Sequence, residues 1–128
     1  MARESIFRTI FHVHGFRDSL RFALRGVVYL FFYHRNMRII FLFGVAAFLA
    51  GILYHLKGIE LVALCITITL VLMAEIFNTA VELLMNMLTE KYHTKIRVIK
   101  DISAGIVVIT SLNAIGVGFI LFAKRIFG

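Results

Sequence analysis

The sequence lacks proline, has a single cysteine, and contains long stretches with almost no polar residues. Cys65 lies in an apolar run, so neither an intramolecular disulfide nor a cysteine metal site can form, and its expected role is packing. No secretory signal is predicted, because arginines interrupt every candidate apolar stretch before residue 39. The first long apolar stretch is therefore expected to act as its own targeting signal.

The composition excludes an ordinary soluble domain. Apolar residues make up 61% of the 128-residue chain, and its mean hydropathy is +0.94, which is outside the range of soluble domains. Lipid must therefore replace water around the most apolar stretches. The net charge is +7, but the basic residues flank these stretches instead of forming a polar domain. We expect a lipid bilayer and an anionic lipid, phosphate or nucleotide as partners, and no nucleic acid.

Hydrophobic periodicity predicts an all-α membrane protein in which residues 1–128 form a single domain. From about residue 5 to residue 33, apolar residues recur every three or four positions beside a stripe of arginines. This pattern is typical of a basic amphipathic helix on a membrane surface.

Three membrane spans are predicted after the surface helix. They cover about residues 39–56, 59–88 and 102–123, and residues 89–101 form a polar loop between the last two. The turn between the first two spans is short, which predicts a tight helical hairpin. Gly105, Ala114 and Gly118 in the third span could allow close helix contact.

The distribution of lysine and arginine predicts the orientation. The N-terminal segment carries seven of these residues and the 89–101 loop four, against one in the hairpin turn and two at the C-terminus. Because basic flanks stay on the cytoplasmic side, we expect the N-terminus and this loop to face the cytoplasm from a bacterial inner membrane.

Four polar residues share one face of the second span. Glu75, Asn78, Glu82 and Asn86 are spaced so that they fall within about 80° around a helix. An ionisable group at membrane depth costs about 3 kcal/mol or more, so two carboxylates require an inward-facing site and a compensating metal or lysine. For an isolated glutamate, snorkelling or interhelical hydrogen bonding is equally plausible, whereas the full stripe favours a function.

Lys100 and Asp101 lie where the predicted loop enters the third span. By themselves they can be an interface anchor and a helix N-cap. Together with the polar stripe they supply what phosphoryl transfer needs: a cation for phosphate oxygens, carboxylates for Mg²⁺ and one carboxylate as base.

Several short motifs follow one another along the chain. They are Phe22-Ala23-Leu24-Arg25-Gly26, Arg35-Asn36-Met37-Arg38-Ile39, Glu75-Ile76-Phe77-Asn78-Thr79-Ala80-Val81-Glu82, Lys91-Tyr92-His93 and Lys100-Asp101-Ile102-Ser103-Ala104-Gly105. As an ordered set they resemble the bacterial diacylglycerol kinase and undecaprenol kinase family, with a slight preference for the undecaprenol kinase branch.

The resemblance implies a homotrimeric kinase that moves the γ-phosphate of Mg-ATP to a lipid hydroxyl. By position, Glu75 corresponds to the general base, Glu82 to a ligand of metal and nucleotide, and Lys100 with Asp101 to the nucleotide-binding pair. The residues implied to organise the site or contact lipid are Asn78, Arg38, Ala23, Gly26 and Asn86.

Two positions depart from the family pattern. His34 stands where a glutamate usually helps bind metal, and a neutral imidazole suits Mg²⁺ less well than an oxygen ligand. It is either a weaker metal ligand or an interface residue. Asn86 replaces a usual aspartate, so it keeps hydrogen bonding but loses charge. We expect this change to affect packing or loop position more than chemistry.

Three functions compete. A lipid kinase acting on diacylglycerol or undecaprenol accounts for the stripe, the Lys100-Asp101 pair and the resemblance. A proton-coupled transporter subunit would place its carboxylates near mid-membrane, whereas here they crowd one end of a span. A family member that has lost catalysis and acts as a scaffold is motivated by His34. The lipid kinase is our prediction.

Overall fold

The computed structural model describes residues 15–88 and 93–128. These residues form helices and no strand, which confirms the predicted all-α class. The helices are α1 (Phe16–Tyr33), α2 (Arg35–Leu53), α3 (Ile59–Asn86) and α4 (His93–Phe127). The last three are long and apolar enough to cross a membrane. By their contacts the residues divide into two compact units, Met1–Arg35 and Asn36–Gly128.

The first unit contains α1, which lies within the predicted surface helix; the earlier part of that prediction falls outside the described residues. Asp18 in the first turn suits the positive end of the helix dipole. The helix ends where His34 adopts an extended conformation and its N–H donates to the carbonyl of Leu30 at 3.0 Å. Gly26 lies in the middle of this helix and does not interrupt it.

A short turn joins α2 to α3, as the predicted hairpin requires. His55 has a φ of +61°, in the left-handed region. The N–H of Leu56 donates to the carbonyl of Gly51 at 2.9 Å, and the N–H of His55 donates to that of Ile52 at 3.1 Å. This pair of bonds is a Schellman ending, and it places the Leu56 side chain in the core.

The core of the second unit lies near this turn. Leu56, Leu64 and Leu121 form a buried cluster. The backbone of Gly51 approaches this cluster so closely that an added Cβ would lie 2.7 Å from Leu64 Cδ2. At the expected contact glycines of the third span, Gly105 and Gly118, a Cβ would meet no described atom within 4 Å. They do not provide close contact within the described residues.

Helices α3 and α4 run antiparallel and make the most extensive helix contact in the described structure. At one end, the Arg125 guanidinium lies 2.8 Å from the Glu60 carboxylate. Near the other end, the Lys100 ammonium donates to Asn86 Oδ1 at 2.7 Å. Contacts at both ends fix the register of the two helices.

The structure differs from the predicted loop at residues 89–101. Helix α4 begins at His93, so residues 93–101 are its first turns, and Asp101 lies inside the helix instead of capping it. Residues 89–92 fall outside the described part. A span needs about 20 residues, whereas α4 has 35. Polar composition therefore marks where this helix leaves the lipid, not where the helix ends.

Candidate functional site

The polar stripe lies on the last three turns of α3 and changes from buried to exposed along the helix. Glu75 and Asn78 are 5% and 8% exposed, whereas Glu82 and Asn86 are exposed to solvent. The buried half of the stripe packs against protein, and the exposed half lies at the C-terminal end of α3. A reacting group from lipid and one from water can both reach a site where a buried region meets an exposed one.

The depth of the site follows from the length of α3. An exposed ion pair such as Glu60–Arg125 belongs at a membrane boundary. Asn78 lies eighteen positions after Glu60, which is about 27 Å of helix, and the hydrocarbon core is about 30 Å thick. In a helix that crosses the bilayer along its normal, Asn78 would therefore lie close to the opposite boundary.

The Glu75 carboxylate lies against Thr79, one turn further along α3. The Thr79 hydroxyl donates to the Glu75 backbone carbonyl at 2.8 Å and lies 3.5 Å from Glu75 Oε1. A hydroxyl has one proton, and the shorter distance assigns it to the Glu75 backbone carbonyl. Thr79 therefore mainly covers the Glu75 carboxylate as a buried neighbour. Thr79 was not predicted as a site residue from the sequence, although its position four residues after Glu75 places it on the same face.

Asn78 links α3 to α4. Its Oδ1 accepts a hydrogen bond from the Ser103 hydroxyl at 2.8 Å, and its Nδ2 donates to Glu82 Oε1 at 3.4 Å. Ser103 was not predicted as a site residue from the sequence. The only available signal was its position one turn after Lys100.

Lys100 lies beside the exposed end of the stripe. Its ammonium donates to Asn86 Oδ1 at 2.7 Å, so the structure brings this predicted nucleotide-binding residue to α3. Asp101 is exposed on α4, and neighbouring positions in a helix point about 100° apart. The two residues of the pair therefore face different directions.

The donor set suits a metal ion shared with a nucleotide better than a closed protein cage. Glu75 and Glu82 are seven positions apart, about 10 Å along the helix, which favours separate roles. Across residues 15–88 and 93–128, no three His, Cys, Asp or Glu side chains come together around one point. Mg²⁺ is commonly held by one or two carboxylates plus substrate phosphates. Glu82 fits that arrangement, with Asn78 beside it.

The remaining predicted site residues lie on α1 and at the start of α2. Ala23 and Gly26 are exposed on α1, and Arg38 is exposed in the first turn of α2. The buried Nε2 of His34 has no hydrogen-bond partner among the described residues, and its ring centroid lies 5.9 Å from that of Tyr29. A neutral imidazole nitrogen in this condition can accept a hydrogen bond or bind a metal ion.

A groove of about 550 Å³ lies between α2, α3 and α4. Its walls are apolar apart from the hydroxyls of Thr67 and Ser111. Thr67 lies eight positions before Glu75, about 12 Å deeper along α3. The groove has the size and polarity that suit a hydrocarbon chain.

The sequence profile described as prokaryotic diacylglycerol kinase matches residues 21–122. The chain belongs to the prokaryotic diacylglycerol kinase family. This finding confirms the resemblance at the level of the family. The matched region of this family member contains the whole stripe, Lys100 and Ser103.

A curated relative of this family member is the diacylglycerol kinase of Synechocystis sp.. It is 38% identical over 101 residues, which cover 78% of the chain and 58% of the relative. The chain thus spans a little over half the length of that relative. No solved structure matches the chain.

Proposed function

We propose that the protein is an ATP-dependent lipid kinase that transfers the γ-phosphate of Mg-ATP to the hydroxyl of a membrane lipid. One observation carries this proposal: a buried carboxylate, Glu75, precedes an exposed carboxylate, Glu82, on one face of a helix that is long and apolar enough to cross a membrane. Family membership supports the same activity.

Glu75 is the proposed general base. Its carboxylate accepts the proton of the lipid hydroxyl while the lipid oxygen attacks the γ-phosphorus. The bond from the γ-phosphorus to the bridging oxygen breaks, and ADP leaves. Burial beside Thr79 keeps bulk water from this carboxylate, which limits competing hydrolysis of ATP.

Glu82 and Lys100 are the proposed nucleotide ligands. Asp101, which points about 100° away from Lys100 around α4, is proposed to contact another part of the nucleotide. The Lys100 ammonium is a point charge suited to phosphate oxygens, and its bond to Asn86 holds it at the end of α3. Glu82 would hold the Mg²⁺ ion, and His34 is a further candidate ligand. When bound, the metal supplies charge neutralisation on the phosphate oxygens.

The lipid is proposed to enter from the bilayer with its chain in the groove between α2, α3 and α4. Its hydroxyl then lies near Glu75, about 12 Å above Thr67. The acceptor is diacylglycerol or undecaprenol. Ala23, Gly26 and Arg38 are proposed to contact the lipid, and α1 lies on the cytoplasmic surface of the bacterial inner membrane. The working form is proposed to be a homotrimer.

The decisive experiment is phosphate transfer from labelled Mg-ATP in mixed micelles, with diacylglycerol and undecaprenol offered separately and Mn²⁺ compared with Mg²⁺. Glu75→Gln is the matched control. Product from either lipid that disappears in the variant supports the kinase and names its acceptor. A trimeric wild-type protein that makes no product with any lipid or metal would favour a scaffold and implicate His34.

A further inference from the structure

Among the residues that the structure describes, Ser103 is the most completely buried polar residue, at 1% exposure. Its hydroxyl lies 2.8 Å from Asn78 Oδ1 on α3 and 2.9 Å from the carbonyl of Lys100 on its own helix. A serine hydroxyl carries one proton, so it can donate to only one of these acceptors at a time.

Asn78 is the acceptor that depends on this proton. At Thr79 the two distances differ by 0.7 Å and decide the acceptor, whereas at Ser103 they are nearly equal and the need of each acceptor decides. A carbonyl inside an α-helix already accepts from the N–H four residues later, so the Lys100 carbonyl is satisfied without Ser103. The side-chain oxygen of Asn78 is buried, and a buried acceptor left without a partner is destabilising. The Ser103 proton is therefore assigned to Asn78.

The hydrogen bond fixes which way the Asn78 amide points. With Oδ1 directed at Ser103, Nδ2 faces Glu82 Oε1 at 3.4 Å. A flipped amide would set its carbonyl oxygen against the carboxylate, and two acceptors repel each other. A carboxylate has about four lone-pair sites, so one bond to Oε1 orients Glu82 and leaves it able to bind a cation.

We propose that Ser103 is a positioning residue that fixes the Asn78 amide, through which Asn78 holds the Glu82 carboxylate in place for metal and nucleotide. The catalytic part of this inference rests on the proposed kinase function. A purely structural role, in which Ser103 is only a small residue between two packed helices, predicts a different response to substitution.

Ser103→Ala separates the two roles, because it removes the hydroxyl and keeps a small side chain. If Ser103 positions Asn78, turnover falls and the metal concentration for half-maximal activity rises, each by roughly 10- to 100-fold, as for other residues that support a metal ligand. Thr110→Val is the matched control, because the Thr110 hydroxyl bonds to carbonyls of α4 itself, at Ile106 and Val107. It should leave both quantities within about twofold, as expected for a loss confined to one helix.

A double-mutant cycle tests the route of the effect. In an Asn78→Ala background, Ser103→Ala should have almost no further effect on turnover or metal dependence, because the residue through which Ser103 acts is gone. An additional loss equal to that in the wild-type background would overturn the proposal. Equal half-maximal metal concentrations in wild type and Ser103→Ala would overturn it as well.

Side-chain NMR of protein labelled with ¹⁵N-asparagine tests the amide without any enzyme assay. The Asn78 side-chain NH₂ signals should shift or broaden in Ser103→Ala and stay unchanged in Thr110→Val, with Asn36 and Asn113 as internal references. Unchanged Asn78 signals in Ser103→Ala would overturn the positioning role. A wild-type protein without kinase turnover would defeat the proposed function alone, since this spectrum still tests the amide.

Discussion

Two glutamates of α3 show how surroundings separate residues of one type. Glu60 is paired with Arg125 at the edge of the bundle, whereas Glu75 is buried beside Thr79. The spacing of the polar stripe predicted that Glu75, Asn78, Glu82 and Asn86 share a face, because the helical period alone sets it. The contact between Asn78 and Ser103 could not be predicted, since it depends on the register of α3 against α4.

Glu75→Gln keeps the shape of the side chain and removes its ability to take a proton. We expect phosphate transfer to fall by roughly 10²- to 10⁴-fold, the usual contribution of a general base, with the oligomeric state in detergent unchanged. Glu60→Gln is the control on the same helix and should retain turnover within about twofold, because an exposed ion pair contributes only about 0–1 kcal/mol. Equal losses in both variants would argue against Glu75 as the base.

Asn86→Asp tests the hydrogen bond between Lys100 and the neutral side chain of Asn86. Because the Asn86 side chain is neutral, its bond to Lys100 does not offset the ammonium charge, which stays available to phosphate. An aspartate there forms an ion pair that competes with the nucleotide, and an exposed pair of about 0.2–1 kcal/mol raises the KM for ATP by up to about fivefold. Asn86→Ala removes the hydrogen bond to Lys100 without adding charge. It therefore separates the effect of losing this bond from the effect of the added negative charge. A lower KM in Asn86→Asp would refute this interpretation.

The helices could be predicted from the sequence wherever apolar periodicity continues. The residues at which they begin and end could not. The stretch 93–101 is polar enough to suggest a loop, yet it continues α4 as helix. Such a stretch lacks proline or glycine to stop a helix. Packing against the polar end of α3, through Lys100 and Ser103, stabilises it, and composition alone does not report that packing.

The turn between α2 and α3 predicts opposite effects for two substitutions. His55 occupies the left-handed position of the Schellman ending, where glycine is preferred. His55→Gly should therefore raise stability by about 1 kcal/mol. Gly58 also has a positive φ of 61°, so Gly58→Ala should lower stability by about 1 kcal/mol or more. Reversible unfolding in mixed detergent micelles measures both, and changes of the same sign would contradict the turn geometry.

For the whole molecule, exposure of apolar side chains is the dominant feature. In the apolar 18-residue window that defines each of the three candidate spans, at most 22% of the residues are buried within the chain. Soluble monomers rarely expose apolar surface on that scale to water, so lipid or further copies of the chain must cover it. Composition alone predicted this environment, whereas the groove between α2, α3 and α4 depends on helix spacing and could not be predicted.

The orientation can be tested with a pair of matched lysine positions. Lys57 lies in the turn between α2 and α3, and Lys95 lies in the first turn of α4, near the other end of the bundle. If the basic flanks are cytoplasmic, a membrane-impermeant maleimide added to intact spheroplasts should label Lys57→Cys at once and Lys95→Cys only after permeabilisation. The native Cys65, inside a span and partly buried, serves as the background control. Labelling of Lys95→Cys in intact spheroplasts would place Glu82 and Lys100 on the side without ATP, and the kinase proposal would fail with the orientation.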